Sequence, residues 1–316
     1  MNEEGNLAPQ KATIFITTFL ALMAFAGNSL LNRYALDVQS MDAIQFSVIR
    51  LMAGALFLWA FCAIKHRQNG VLTTTTQIAE PKLEATKNCE AAIKNVDAST
   101  PKSDRRAGLA LLFYAVPFSL AYIDLSAGTG ALILFATVQL TLFIFTLIQK
   151  QPVSNYQVTG MLVALAGLIL LLSPKLEAPD PIAACLMMVA GFSWGIYTAL
   201  GKKATAPITA TRDNFIIAAL LATPLLFVLT GPSLLDTSAK ALVAALLSGA
   251  ITSGLGYVLW YKVLPHLSSL TAGISQLSVP VLTAILGLFF LGETLTATTL
   301  ISSGIILSGI ILSLKK

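Results

Sequence analysis

The chain has 316 residues, 56% of them hydrophobic and only 11% charged, with a net charge of +5. A soluble globular protein carries about 25% charged residues, so this composition excludes a soluble enzyme, a disordered chain and a nucleic-acid binder. Three cysteines cannot build a full disulfide framework, and no CxxC pair is present to hold zinc, so neither metal nor other cofactor is expected.

Crossing the hydrocarbon core takes about 20 apolar residues in a helix. Ten such runs are predicted: 13–35, 44–64, 107–123, 127–148, 154–173, 181–201, 213–231, 239–261, 268–291 and 295–314. They are too long and too continuous for barrel strands, which alternate apolar and polar residues. A helix satisfies its own backbone groups in lipid. The expectation is an all-α polytopic membrane protein with ten transmembrane helices. Only Lys11 precedes the first run. That run lacks a convincing small-residue cleavage site, so it reads as a retained span rather than a signal peptide.

Span 1 carries Asn28 and Asn32, four apart and therefore on one face, and ends at Arg33, an interfacial anchor. Span 2 carries Arg50, roughly 9 Å of helix rise from its outer end. Arg50 is expected to snorkel, to pair with Asp42, Asp124 or Glu293, or to act on the solute or a gate. Residues 65–106 are polar and read as a solvated cytoplasmic loop without a core of its own. Span 3 holds Tyr114 and Tyr122 and ends at Asp124, and span 4 holds Gln139. Span 6 carries Trp194 and Tyr197, three apart. Span 8 carries Tyr257 deep inside, with Trp260 and Tyr261 expected in the interfacial belt. In span 9, Gln276 lies four residues before Pro280, which cannot donate to its carbonyl. The glycines at 160, 167, 249, 254, 256, 304 and 309 read as helix-contact positions, and Glu293 as a cap of span 10. Polar groups inside spans are expensive. They either bond a neighbouring helix or line a solute path, and the sequence leaves both readings open.

Loop charge sets orientation. Sixteen Lys and Arg fall on one side, and only Arg33, Lys175 and Lys240 on the other. Both termini are therefore expected in the cytoplasm.

The spans divide five and five about the proline-rich break at 173–181. This gives a first unit, 1–173, and a second, 181–316. A shift of 142 residues superposes Leu125-Ser126 on Leu267-Ser268, Leu140-Thr141 on Leu282-Thr283 and Gly167 on Gly309, with 10 identities in 48 positions. Five is odd, so the second unit enters the membrane from the opposite side. Inverted repeats of this kind occur in secondary transporters.

Gly195 after Phe192-Ser193-Trp194, the run from Ser268 to Val281, and Leu291-Gly292-Glu293-Thr294-Leu295-Thr296 before Gly304 and Gly309 carry a family resemblance. The chain resembles the drug/metabolite transporter superfamily, specifically its EamA-type ten-span members, over about residues 13–314. The first half departs from the pattern: Lys150-Gln151 stands for the Gly-Glu pair, and Val138 for Pro280. The resemblance implies transport of small organic metabolites, amino acids among them, at a site lined by spans 1, 3, 4, 6, 8 and 9.

The expected function is a secondary transporter, an exporter working by alternating access in a bacterial inner membrane. The expected partners are a small-molecule substrate and membrane lipid, and the chain is a monomer or homodimer. The alternative is a channel or sensor without carrier activity. Candidate cavity residues are Asn28, Asn32, Tyr122, Gln139, Trp194, Tyr197, Tyr257 and Gln276. Arg50 and Asp124 are the gating or ion-pair candidates. No Asp, Glu or His lies near a span centre, so movement down a gradient is the simplest expectation.

Overall fold

The computed structural model describes residues 4–75, 104–125, 127–173, 179–229, 237–292 and 296–315. Every regular element among them is helical. In chain order these are α1 (Glu4–Arg33), α2 (Ala43–Thr75), α3 (Arg105–Asp124), α4 (Ala127–Ile148), α5 (Asn155–Leu172), α6 (Pro181–Gly201) and α7 (Pro207–Leu229). Then come α8 (Ala239–Leu247), α9 (Gly256–Val263), α10 (Ser269–Gln276), α11 (Val279–Leu291) and α12 (Ala297–Ser313). A π-helical segment, Ser248–Leu255, joins α8 to α9, and another, Tyr34–Val38, extends α1.

Among the described residues eight helices are long and apolar enough to cross a membrane. The α8–α9 rod counts as one of these, and α10 with α11 as another. The chain is an integral, multi-pass membrane protein. Its outer surface carries Phe15, Ile148, Ile182, Phe289 and Phe290 largely exposed, the arrangement lipid requires. Two of the ten runs fall outside the eight. Helix α12 has 17 residues, and α7, which starts at Pro207, carries the polar Arg212-Asp213-Asn214 within about its first third.

Capping is local and legible. Ser154 and Gln157 form a reciprocal capping box at the start of α5. Asp180 accepts the Ile182 and Ala183 N–H groups at the start of α6, where Pro181 fits the first turn. Thr296 accepts the Thr299 N–H before α12.

Three expectations are corrected. Helix α2 continues to Thr75, so residues 65–75, expected in the loop, are helical; residues 76–103 lie outside the described residues, as does the Glu293 cap. Span 9 is not one helix. It breaks at Leu277–Ser278, where the N–H groups of Leu277 and Ser278 turn back to the Ile274 and Ser275 carbonyls at 3.0 and 3.1 Å. Pro280 then sits in the first turn of α11, the place in a helix where a missing N–H costs nothing. Gly304 packs against nothing: an added methyl there would meet no atom within 4 Å.

Candidate functional site

A cavity of about 1290 Å³ opens in the middle of the bundle. Residues from both halves line it. Arg33, Gly292 and Thr296 mark its mouth, and the last two are exposed. The walls are Asn28 and Asn32 of α1, Phe118 and Tyr122 of α3, Leu134 and Val138 of α4, and Val279, Pro280 and Thr283 of α11. The floor is aromatic. Phe25, Tyr114, Trp194 and Tyr257 reach the cavity and hold one another at ring separations of 4.9 to 5.6 Å.

A second aromatic layer lies beneath. Tyr197 stacks on Trp194 at 5.4 Å with an interplanar angle of 23°, and Trp260 meets Phe25 edge-on at 5.5 Å. Tyr261 lies 4.8 Å from Tyr197 and donates its hydroxyl to the Tyr197 carbonyl at 3.2 Å. Trp260 and Tyr261 are 0% and 2% exposed. The interfacial belt expected for them is therefore a correction. They seal the end of the cavity, where a methyl on Gly201 would lie 2.5 Å from the Tyr261 ring.

Two polar nodes fix the walls. The Trp194 indole N–H donates to Gln276 Oε1 at 2.5 Å, while Gln276 Nε2 donates to the Ala272 carbonyl at 3.1 Å. This ties α6 to the last turn before the helix break. Asn28 Oδ1 accepts the hydroxyls of Ser248 at 2.5 Å and Ser253 at 3.1 Å. Both serines belong to the π-helical segment. Wide turns of this type recur at functional sites, and this one brings two hydroxyls to a single acceptor.

Comparisons with known proteins agree with this architecture. Residues 181–315 match the model of the EamA-like transporter family. An uncharacterized protein of Pseudomonas aeruginosa, PA1977, is 39% identical over 287 residues, covering 91% of this chain and 89% of its own. The uncharacterized transporter YwfM of Bacillus subtilis is 31% identical over 48% of this chain and 52% of its own. The chain belongs to the EamA-like transporter family. The threonine/homoserine exporter RhtA of Salmonella typhimurium is 30% identical over 60% of this chain and 61% of its own. A crystal structure superposes on 96% of this chain and 96% of its own with a TM-score of 0.71 at 14% identity, which shows a shared fold.

In this EamA-like chain, Asn28, Asn32, Tyr122, Trp194, Tyr257 and Gln276 line the cavity. Tyr197 does not; it lies one layer below. Gln139 does not either. Its side chain is buried against Gly273 of α10, where a methyl would collide with Oε1, and neither Oε1 nor Nε2 has a hydrogen-bond partner. Asp124 is exposed at the end of α3. Arg50 forms no ion pair among the described residues: Asp42 instead caps α2, accepting the Ile44 and Gln45 N–H groups. Sequence reasoning missed Phe25 and Phe118. Phe25 stands three residues before Asn28 on the same helical face, a spacing that marks it as a cavity neighbour.

Proposed function

We propose that the protein is a secondary transporter that exports small organic metabolites, such as amino acids, across the plasma membrane by alternating access. One observation carries the reading. A cavity large enough for a small solute is open at one end of the bundle and sealed at the other by stacked aromatic rings. A channel requires a continuous polar path, whereas a carrier requires one closed end at a time. The name of the Salmonella relative, a threonine/homoserine exporter, supports both the solute class and the direction.

Ten spans in two inverted repeats account for the packing. Exchanging each span of the first half with its counterpart five spans later converts the α3–α6 contact into that of α9 with α1. It likewise converts α4–α6 into α11–α1, and α3–α7 into the π segment with α2. The α2–α7 and α5–α12 contacts map onto themselves. The shift of 142 residues also holds locally. Lys150 and Gly292 are both left-handed, at φ 52° and 67°, and Ser154 and Thr296 both cap the following helix. The Lys/Arg asymmetry orients the cavity mouth outward and both termini toward the cytoplasm of a bacterial cell. The chain works as a monomer or homodimer in lipid.

The test is counterflow. Purified protein in liposomes preloaded with unlabelled amino acid accumulates labelled amino acid transiently and saturably if it is a carrier. Flux that never saturates, or a conductance without trans-stimulation, would establish a channel instead.

A further inference from the structure

Arg50 of α2 is only 1% exposed, and its guanidinium is a cation with five N–H donors and no acceptor. Its guanidinium carbon lies 6.0 Å from the centre of the Phe46 ring and 5.9 Å from that of Tyr114. Two aromatic faces offset part of the desolvation of a cation. They do not supply an anion, and a buried charge without one is strongly disfavoured. Arg50 Nη1 has no hydrogen-bond partner. Among the described residues no carboxylate pairs with it, and the sequence places no Asp or Glu near the centre of any span.

Its position relative to the cavity gives this deficit a meaning. Tyr114 lines the cavity floor and lies 4.9 Å from Trp194, while also neighbouring Arg50. The cation thus stands one ring behind the floor. Its backbone is held there, because the π-helical segment presses Gly249 against the Arg50 carbonyl so closely that a methyl on Gly249 would collide with it. We infer that Arg50 is the binding residue for a carboxylate on the transported solute. This assignment rests on the carrier reading above. Arg50 itself does not line the cavity; a carboxylate reaching past the Tyr114 ring, which borders both, supplies the missing anion, and the planar fork of the guanidinium matches its two oxygens. The rest of the solute lies against Phe25 and Trp194.

The experiment uses the full-length protein in liposomes. The probes are L-threonine, L-leucine, L-phenylalanine and pyruvate, each paired with its carboxamide, which lacks the carboxylate charge. Wild-type counterflow favours the carboxylate over the amide by at least tenfold for the solutes exchanged. In Arg50→Gln the preference falls to near unity, and in Arg50→Lys it survives in part. Equal handling of acid and amide by the wild type, or an unchanged preference in Arg50→Gln, overturns the assignment. If no solute is exchanged, the carrier reading fails, and binding then decides the role of Arg50. Quenching of tryptophan fluorescence by the carboxylates, lost in Arg50→Gln, supports the assignment. Equal quenching by acid and amide, or none, overturns it.

Discussion

The indole nitrogen of Trp194 lies 2.5 Å from Gln276 Oε1, in a site buried on both sides. This bond joins the aromatic floor of the cavity to the point where the ninth span breaks into α10 and α11. Trp194 is thus both a wall of the cavity and a strut of the core, which makes its two contributions separable. Trp194→Phe keeps ring contacts but leaves Gln276 Oε1 unpaired, a loss of roughly 1–3 kcal/mol. Trp194→Ala also empties the floor, a loss of roughly 3–5 kcal/mol on the scale of soluble cores. Melting temperature in detergent is expected to fall in that order. Transport per molecule is expected to fall in both variants, and more steeply in Trp194→Ala.

Asn28 bridges the halves through one acceptor atom and the hydroxyls of Ser248 and Ser253. Asn28→Gln retains an amide acceptor without adding a buried charge, so the π-helical segment keeps an anchor. Asn28→Leu strands both hydroxyls and is expected to destabilise by roughly 1–3 kcal/mol. Detergent melting curves of the two variants give the comparison; equal melting temperatures would mean the node is dispensable.

Helices α5 and α12 cross where their backbones nearly touch. A methyl on Gly309 would lie 2.5 Å from the Ala164 nitrogen and 2.6 Å from the Gly160 oxygen. Backbone cannot swing aside, so Gly309→Ala is expected to cost roughly 1–3 kcal/mol. Gly304, five residues earlier, faces open space. Gly304→Ala gains up to about 1 kcal/mol of helix propensity. Thermal unfolding of the pair checks the contrast in sign.

Lys150 occupies a left-handed conformation, φ 52°, at the position matched by Gly292, φ 67°. A side chain there is strained by roughly 1–2 kcal/mol. Lys150→Gly is expected to raise the melting temperature and Gly292→Ala to lower it, measured in the same detergent.

Much of this architecture was legible in the sequence, for stated reasons. Long apolar runs have one stable form in lipid, so helix positions followed directly. Pro280 marked a disturbance in span 9, though not that Leu277–Ser278 would break it into two helices. What the sequence hid is which face points inward. A membrane helix is apolar all round, so period alone does not separate Phe25, at the floor, from Phe15, at the lipid. Trp260 and Tyr261 lie near a span end, where an interfacial belt is the ordinary reading, and packing of α9 against α1, α6 and α7 buries them: Trp260 meets Phe25, and Tyr261 meets Tyr197 and Asn214. Gln139 illustrates the converse. A polar residue in a span drew attention as a cavity lining, yet its side chain turns toward Gly273. The 3.6-residue period could not reveal the π-helical turn that gathers Ser248 and Ser253 around Asn28.

The central claim is that the aromatic layer separates two sides that open in turn. The most direct measurement is thiol labelling of single cysteines in a background lacking Cys62, Cys89 and Cys185. Thr283→Cys lies on the cavity wall, and Thr198→Cys lies buried on the far side of the floor beside Trp260. With an impermeant maleimide, the account predicts that Thr283→Cys reacts from the outer face and Thr198→Cys only from the inner face. A gradient of a transported solute should change the two rates in opposite directions. Reaction of both positions from one face, or rates that rise together, would contradict alternating access.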